Sequence, residues 1–167
     1  KSLNFSPIHY TMSTDLHIRS IAAFKQLSDA DLVQVKSIRF NIYKEKHLEI
    51  PDRVYDCSNL RSLHLDRNQS AAISPKIVQL QALEVLEIIQ CPITDLPKEL
   101  SKLSKLTILK CEETGLKIIP ACVFDCVNLI ELSFTRSLIK SIPKEIKQRC
   151  SLLCLLGYFF FCRRFFG

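Results

Sequence analysis

Glycine is scarce in this 167-residue chain, which contains it at Gly115, Gly157 and Gly167 only. A phosphate-binding loop needs closely spaced glycines, because its backbone must approach the phosphate in conformations that other residues resist. Neither G-x-x-x-x-G-K-[ST] nor G-x-G-x-x-G can be built from these three positions. The sequence therefore excludes the common nucleotide-binding loops.

Motifs of hydrolytic and metal chemistry are missing as well. The chain has no H-E-x-x-H and no G-x-S-x-G, and its four histidines are far apart in sequence. Glu112 and Glu113 are adjacent, but neighbouring strand residues point to opposite faces, which argues against a carboxylate pair for acid–base catalysis. We therefore expect no catalytic residue, no cofactor and no metal, and we predict that the protein is not an enzyme.

A pattern of apolar residues recurs every 23 residues along most of the chain. Its clearest copy reads Leu83-x-x-Leu86-x-Ile88-x-x-Cys91-x-Ile93. Further copies begin at Leu60, Leu106 and Leu129, and one that is longer by two residues begins at Val35. The second half of the unit repeats too, as an apolar residue followed by proline at Leu96-Pro97, Ile119-Pro120 and Ile142-Pro143. Each copy is too short to bury its own apolar residues, so the copies must stack.

This pattern resembles the leucine-rich repeat family, L-x-x-L-x-L-x-x-N/C-x-L. It is most similar to the 23-residue intracellular class found in Ras-suppressor-like scaffolds and plant immune-receptor repeats. The resemblance implies an α/β solenoid, right-handed and curved, with a parallel concave β-sheet. Short helices, 3₁₀ turns or extended arms are implied for the convex side. Only Asn68 keeps asparagine at the ninth position, where Tyr43, Cys91, Thr114 and Ser137 stand in the other copies.

Three segments follow from the limits of the pattern. Residues 1–34 form an N-terminal capping segment, in which Leu16 to Phe24 is compatible with a capping strand or with the start of a helix. Residues 35–151 hold five repeats, and residues 152–167 form an apolar tail or a degenerate partial repeat. The first residues lack the apolar run of a signal peptide, and the start at Lys1 suggests a fragment or a processed product.

The tail contains an apolar run from Leu152 to Cys162, 11 residues long. A membrane-spanning helix needs about 20 apolar residues, so the run is too short to cross a bilayer. The simpler interpretation is the strand of a sixth repeat, Leu152-x-x-Leu155. The alternative is a membrane-contacting tail with Cys154 and Cys162 as acylation sites.

The eight cysteines include no C-x-x-C pair. Cys122 with Cys126 and Cys150 with Cys154 have a looser spacing that zinc can use. Four cysteines occupy positions where the repeat buries a side chain: Cys57, Cys91, Cys111 and Cys126. Buried free thiols are typical of a reducing compartment, so we expect a cytoplasmic protein.

In-register stacking of the strands places equivalent residues side by side on the concave face. We predict that a protein partner binds there, through residues that combine a basic N-terminal part, an acidic middle and several apolar side chains. These residues are Arg39, Arg61, His64, Arg67, Glu84, Val85, Glu87, Ile89, Ile108, Lys110, Glu112, Ile130 and Glu131. The simpler interpretation is that Arg61 and Glu84, like His64, Glu87 and Lys110, form cross-strand pairs that neutralise one another.

The functional hypothesis is protein–protein recognition, in intracellular signalling or immune recognition by resemblance to the family. The partner's identity does not follow from the sequence. The net charge of +6 is spread over loops, which favours a solvated surface over a nucleic-acid stripe. Two alternatives remain: a membrane-attached repeat protein that uses its tail, and a truncated piece of a larger receptor with no separate activity.

Overall fold

Six parallel strands form one sheet in strict chain order in the computed structural model, which describes residues 14–18, 21–41 and 50–141. A parallel pair of consecutive strands needs a connection that returns the chain to the same edge. The 23-residue unit supplies that connection. The strands are β1 Asp15–Ile18, β2 Ser37–Asn41, β3 Ser62–Asp66, β4 Val85–Ile89, β5 Ile108–Glu112 and β6 Glu131–Ser133.

The connections carry short helical segments. Two α-helices, α1 Ile21–Lys25 and α2 Asp29–Gln34, precede β2. The described part of each later connection holds one 3₁₀ helix of five residues, and these four are Asp52–Asp56, Pro75–Gln79, Lys98–Lys102 and Ala121–Asp125. Proline stands directly before three of them, at positions 51, 97 and 120. It is tolerated there because the first turn of a helix leaves its backbone N–H groups unpaired in any case.

The core lies between the sheet and the 3₁₀ helices and is continuous along the solenoid. In β4, Leu86 and Ile88 point inward and are fully buried, while the residues between and beside them are partly exposed. The returning arm adds Ile93, Leu96 and Leu100, which are buried as well. Because one copy cannot enclose these side chains, neighbouring copies bury them jointly. The α/β solenoid with a parallel sheet and 3₁₀ turns that the resemblance implied is confirmed.

The sheet begins one strand before the first recognised repeat. β1 pairs with β2 in parallel, with Leu16 beside Ile38 and Ile18 beside Phe40. The carbonyl of Thr14 accepts hydrogen bonds from the amides of Lys36 and Ser37 at the start of β2. The carbonyl of Glu84 accepts the same pair of bonds at the start of β5. Both alternatives for Leu16 to Phe24 therefore occur in turn, since a strand is followed by the helix α1.

Several predictions lie outside the described residues. These are the loop of the first repeat from residue 42 to 49, the end of the fifth repeat, and the tail of residues 152–167 with Cys154 and Cys162. Of the helices that are described, none combines the length and apolarity that crossing a bilayer requires.

Candidate partner-binding face

The outward side of the sheet, which we call the concave face, carries the predicted residues in the predicted columns. The register pairs Arg39 with His64, His64 with Glu87, and Glu87 with Lys110. A second column joins Ile89 to Glu112, and a third joins Val85 to Ile108 and then to Glu131. Adjacent strands lie about 4.8 Å apart. The columns thus bring side chains from four repeats within reach of one another.

The middle of the concave face holds a chain of charged groups that we call the central network: His64, Glu87, Lys110 and Glu131. Nδ1 of His64 lies 2.7 Å from the carboxylate of Glu87, whose other oxygen lies 3.5 Å from Nζ of Lys110. Lys110 also reaches Glu131 at 3.0 Å. The carboxylate can only accept, so Nδ1 of His64 carries a proton in either charge state of the ring. The network therefore satisfies its own charges.

The protonation of the network follows from this geometry. Partial burial alone would raise the pKa of Glu87, but the hydrogen bond from His64 and the charges of His64 and Lys110 outweigh it and lower the pKa. The hydrogen bond to Glu131 is the largest cause of a raised pKa at Lys110. Both groups are therefore held in their charged forms at neutral pH.

The C-terminal ends of the strands carry a second polar row, which we call the rim ladder: Arg67, Gln90, Glu113 and Arg136. Nε of Arg67 donates to Gln90 at 2.7 Å, and Nε2 of Gln90 donates to Glu113 at 2.9 Å. Nη1 of Arg136 donates to the other oxygen of Glu113 at 2.7 Å. Hydrogen bonds from Gln90 and Arg136 lower the pKa of Glu113. Arg67 was predicted as a site residue from its column, but the continuous bonding of the row was not.

All four residues of the rim ladder have left-handed backbones, with φ between 51° and 54°. This conformation lets the chain leave the sheet at the same point in each repeat. It favours glycine, and other residues adopt it at a cost. The residue types at these positions did not predict the turn, because arginine, glutamine and glutamate have no marked preference for the left-handed region.

The N-terminal part of the concave face is less completely paired. Arg61 approaches Glu84 at 3.4 Å, and both side chains are largely solvated, so the pair contributes little. Asn41 donates to Asp66 at 2.7 Å. Arg39 is exposed and has no ion-pair partner among the residues that the structure describes. Among the described residues, the guanidinium of Arg39 is therefore an uncompensated positive charge at this end of the face.

Three apolar side chains lie exposed beside the central network, and we call them the apolar strip: Val85, Ile108 and Ile130. Val85 and Ile108 are neighbours across β4 and β5 and are partly exposed. Ile130 directly precedes β6 and is 63% exposed. Ile89 and Glu112 lie further along their strands, where Glu112 accepts a hydrogen bond from Ser133 at 3.3 Å. The three side chains of the strip are in contact with water and, because they are apolar, form no hydrogen bond or ion pair.

Behind the concave face, the ninth position of three described repeats carries a shorter side chain than the asparagine of the pattern, namely Cys91, Thr114 and Ser137. The thiol of Cys91 lies 3.3 Å from the carbonyl of Ile89 and 3.6 Å from that of Leu65. Ser137 donates to the carbonyl of Cys111 at 2.9 Å, so the 2.9 Å contact between Thr114 and Ser137 has Thr114 as its donor. Cys91 and Ser137 thus still bond to backbone carbonyls, and Thr114 bonds to the hydroxyl of Ser137.

The cysteines of the described repeats are buried free thiols. They are Cys57, Cys91, Cys111, Cys122 and Cys126. Burial raises the pKa of Cys91 to about 11 and that of Cys126 to about 12, so neither forms a thiolate readily. Within residues 14–18, 21–41 and 50–141, no three side chains of the metal-binding types come together.

Comparison with solved structures identifies related folds. No protein-family model matches the sequence, and no curated protein matches it significantly. Among solved structures, the chain is similar to the LRR protein LIC12759 of Leptospira interrogans, with 27% identity, a TM-score of 0.58, and coverage of 78% of this chain and 33% of that one. It is also similar to a chain of the BIR3–SERK2 complex from Arabidopsis thaliana, with 25% identity, a TM-score of 0.52, and coverage of 59% and 55%. The sequence thus spans about a third to about half of the chains that it resembles. Together with the recurring strand, turn and 3₁₀ helix, these likenesses show that the chain has the leucine-rich repeat fold.

Proposed function

We propose that the concave face binds a protein partner, with the apolar strip at the centre of the contact. The observation that carries the proposal is the contrast on this face between bonded charges and unbonded apolar groups. His64, Glu87 and Lys110 already have partners, whereas Val85 and Ile108 gain only by leaving water. Apolar groups framed by polar ones are typical of the centre of an interface.

Two further points support this function. A similar chain comes from a structure of two proteins in complex, BIR3 and SERK2. The exposed guanidinium of Arg39 offers a charged contact three strands away from Ile108, about 14 Å at the usual strand spacing. We propose the cytoplasm as the setting, since the free buried thiols suit a reducing compartment. Signalling or immune recognition is part of the same proposal and rests on the family resemblance.

The proposal is tested by affinity capture with the full chain, set beside the double variant Val85→Asp/Ile108→Asp. Proteins retained by each bait are quantified by mass spectrometry, and a retained protein is then purified for a binding isotherm. Two buried aspartates at an interface centre should weaken binding at least tenfold, about 1.4 kcal/mol. Circular dichroism checks that both baits keep the same secondary structure.

The matched control is Val33→Asp/Ile118→Asp, which changes two exposed apolar residues outside the strands. The control should bind the partner as the unchanged chain does. Equal binding by all three baits would show that the partner does not bind through the concave face. Equal loss in both double variants would show that general exposed apolar surface, not this face, retains the partner.

A further inference from the structure

A cavity of about 320 Å³ lies on the convex side, between the 3₁₀ helices Asp52–Asp56 and Pro75–Gln79. Most of its wall is apolar and comes from the loop that leads into the second of these helices. Ala71 and Ala72 in that loop are exposed, so the cavity opens to solvent. Its volume is at the lower end of the range for small-molecule sites, which begins near about 300 Å³.

The cavity results from one departure from the repeat. The last apolar position of the pattern is Ile93, Leu116 and Ile139 in the following repeats, and all three are buried. Ser70 occupies the equivalent position here. Its hydroxyl donates to the carbonyl of Ala72 at 2.7 Å, so the side chain turns back onto its own loop. The space that a leucine or isoleucine fills elsewhere is left open.

A buried phenol lines the same cavity. Tyr55 is 2% exposed, and its hydroxyl has no hydrogen-bond partner within the described part of the chain. Burial raises the pKa of Tyr55 to about 12, while the nearby Ser74 backbone offsets the rise only in part and lacks hydrogen-bond geometry. The hydroxyl is therefore a protonated donor that has no acceptor among the described residues, and buried donors without an acceptor are rare in folded proteins.

The charge at the cavity's edge is already compensated. The carboxylate of Asp52 lies 2.5 Å from Nζ of Lys76, on the next 3₁₀ helix. An ionic ligand would therefore find no free counter-charge at this edge, and the apolar lining residues include Ile50, Ala71 and Ile73. The wall suits an uncharged occupant with an apolar body.

We propose that this cavity is a binding site for a small uncharged molecule that has an apolar ring or chain and one carbonyl-type acceptor. The carbonyl accepts the hydrogen bond of Tyr55, and the apolar body fills the space beside Ser70. The site is on the opposite side of the sheet from the concave face.

The test uses the full chain and two probes of similar shape, cyclohexanone and methylcyclohexane, titrated while amide chemical shifts are recorded by NMR. Cyclohexanone should bind saturably, with the largest shifts at Ala71 to Ile73. Tyr55→Phe keeps the ring and removes the donor, so it should weaken the ketone several-fold and leave methylcyclohexane unchanged. Ser70→Leu restores the usual repeat residue and should abolish binding of both probes.

The control is Ser101→Ala, which removes a hydroxyl at the position equivalent to Tyr55 two repeats further on, outside the cavity. It should leave both affinities unchanged. Absence of saturable ketone binding, or equal ketone affinity in the unchanged chain and in Tyr55→Phe, would overturn the proposal. The Tyr55→Phe comparison remains decisive even if Ser70→Leu fails to fold.

Discussion

Replacing Gln90 by glycine should give a more stable protein than replacing it by alanine. Gln90 is in the left-handed region with φ of 54°, which costs a residue with a Cβ atom about 1–2 kcal/mol. Glycine avoids that cost. It also makes the unfolded chain more flexible, which lowers the free energy of unfolding by about 0.4–1 kcal/mol relative to alanine. The difference favours glycine by about 0.5–1 kcal/mol.

The comparison between Gln90→Gly and Gln90→Ala isolates the effect of the backbone conformation on stability. Both lose the hydrogen bonds of Gln90 to Arg67 and Glu113, so the loss of the rim ladder cancels between them. That loss should itself make Gln90→Ala less stable than the unchanged chain by up to about 1 kcal/mol, since these bonds are solvent-exposed.

The control position is Glu112, which lies in the extended strand β5. There glycine should be less stable than alanine by about 0.5–1 kcal/mol, because no left-handed strain is relieved. Urea unfolding followed by circular dichroism measures all four variants. If glycine is also the less stable choice at position 90, the rim ladder does not carry backbone strain and the reasoning fails.

Three further predictions concern the core, the central network and the thiols. Leu86→Ala should lower the free energy of unfolding by about 2–5 kcal/mol in urea, because the side chain is fully buried at the centre of the sheet; a loss below 1 kcal/mol would contradict a closely packed core. The pKa of Glu87 is lowered in the folded protein. Its contribution to the free energy of unfolding is therefore present above its ordinary pKa of 4.5 and is lost as the pH falls through the pKa of the folded state. Unfolding of Glu87→Gln should therefore depend less on pH between about pH 5 and 3, and an unchanged pH profile would refute the pairing with His64. Burial raises the pKa of all five described cysteines, so iodoacetamide at pH 8 should leave them unlabelled until denaturant is added, as peptide mass spectrometry can check; rapid labelling of the native protein would contradict their burial. These cysteines are Cys57, Cys91, Cys111, Cys122 and Cys126.

The sheet and its columns were predictable because burial leaves a periodic trace in the sequence. Leu86 and Ile88 alternate with polar residues, and the 23-residue spacing sets which residue of the next strand lies beside each of them. The simpler interpretation of the charged columns was confirmed at Glu87, which does lie between His64 and Lys110 and bonds to both.

Contacts that depend on side-chain reach were not predictable in the same way. Lys110 bonds most closely to Glu131, which belongs to a different column, because a long flexible side chain spans the diagonal between strands. β1 carried no recognisable repeat, since two α-helices replace the proline-led arm between it and β2. The cavity beside Tyr55 was visible only as a serine where the pattern expects an apolar residue, at Ser70.

The bonding of the concave face limits how a partner can use it. A partner that paired with Glu87 or Lys110 would have to displace His64 or Glu131, so the charge gained would be offset by the charge lost. The same holds along the rim ladder, where Glu113 already accepts from both neighbours. Affinity must then come mainly from the apolar strip, which loses no bond when it is covered. In the proposed interaction, the central network holds that strip on a bonded surface, and Arg39, which lies beside His64 on the neighbouring strand, offers the charged contact that orients the partner.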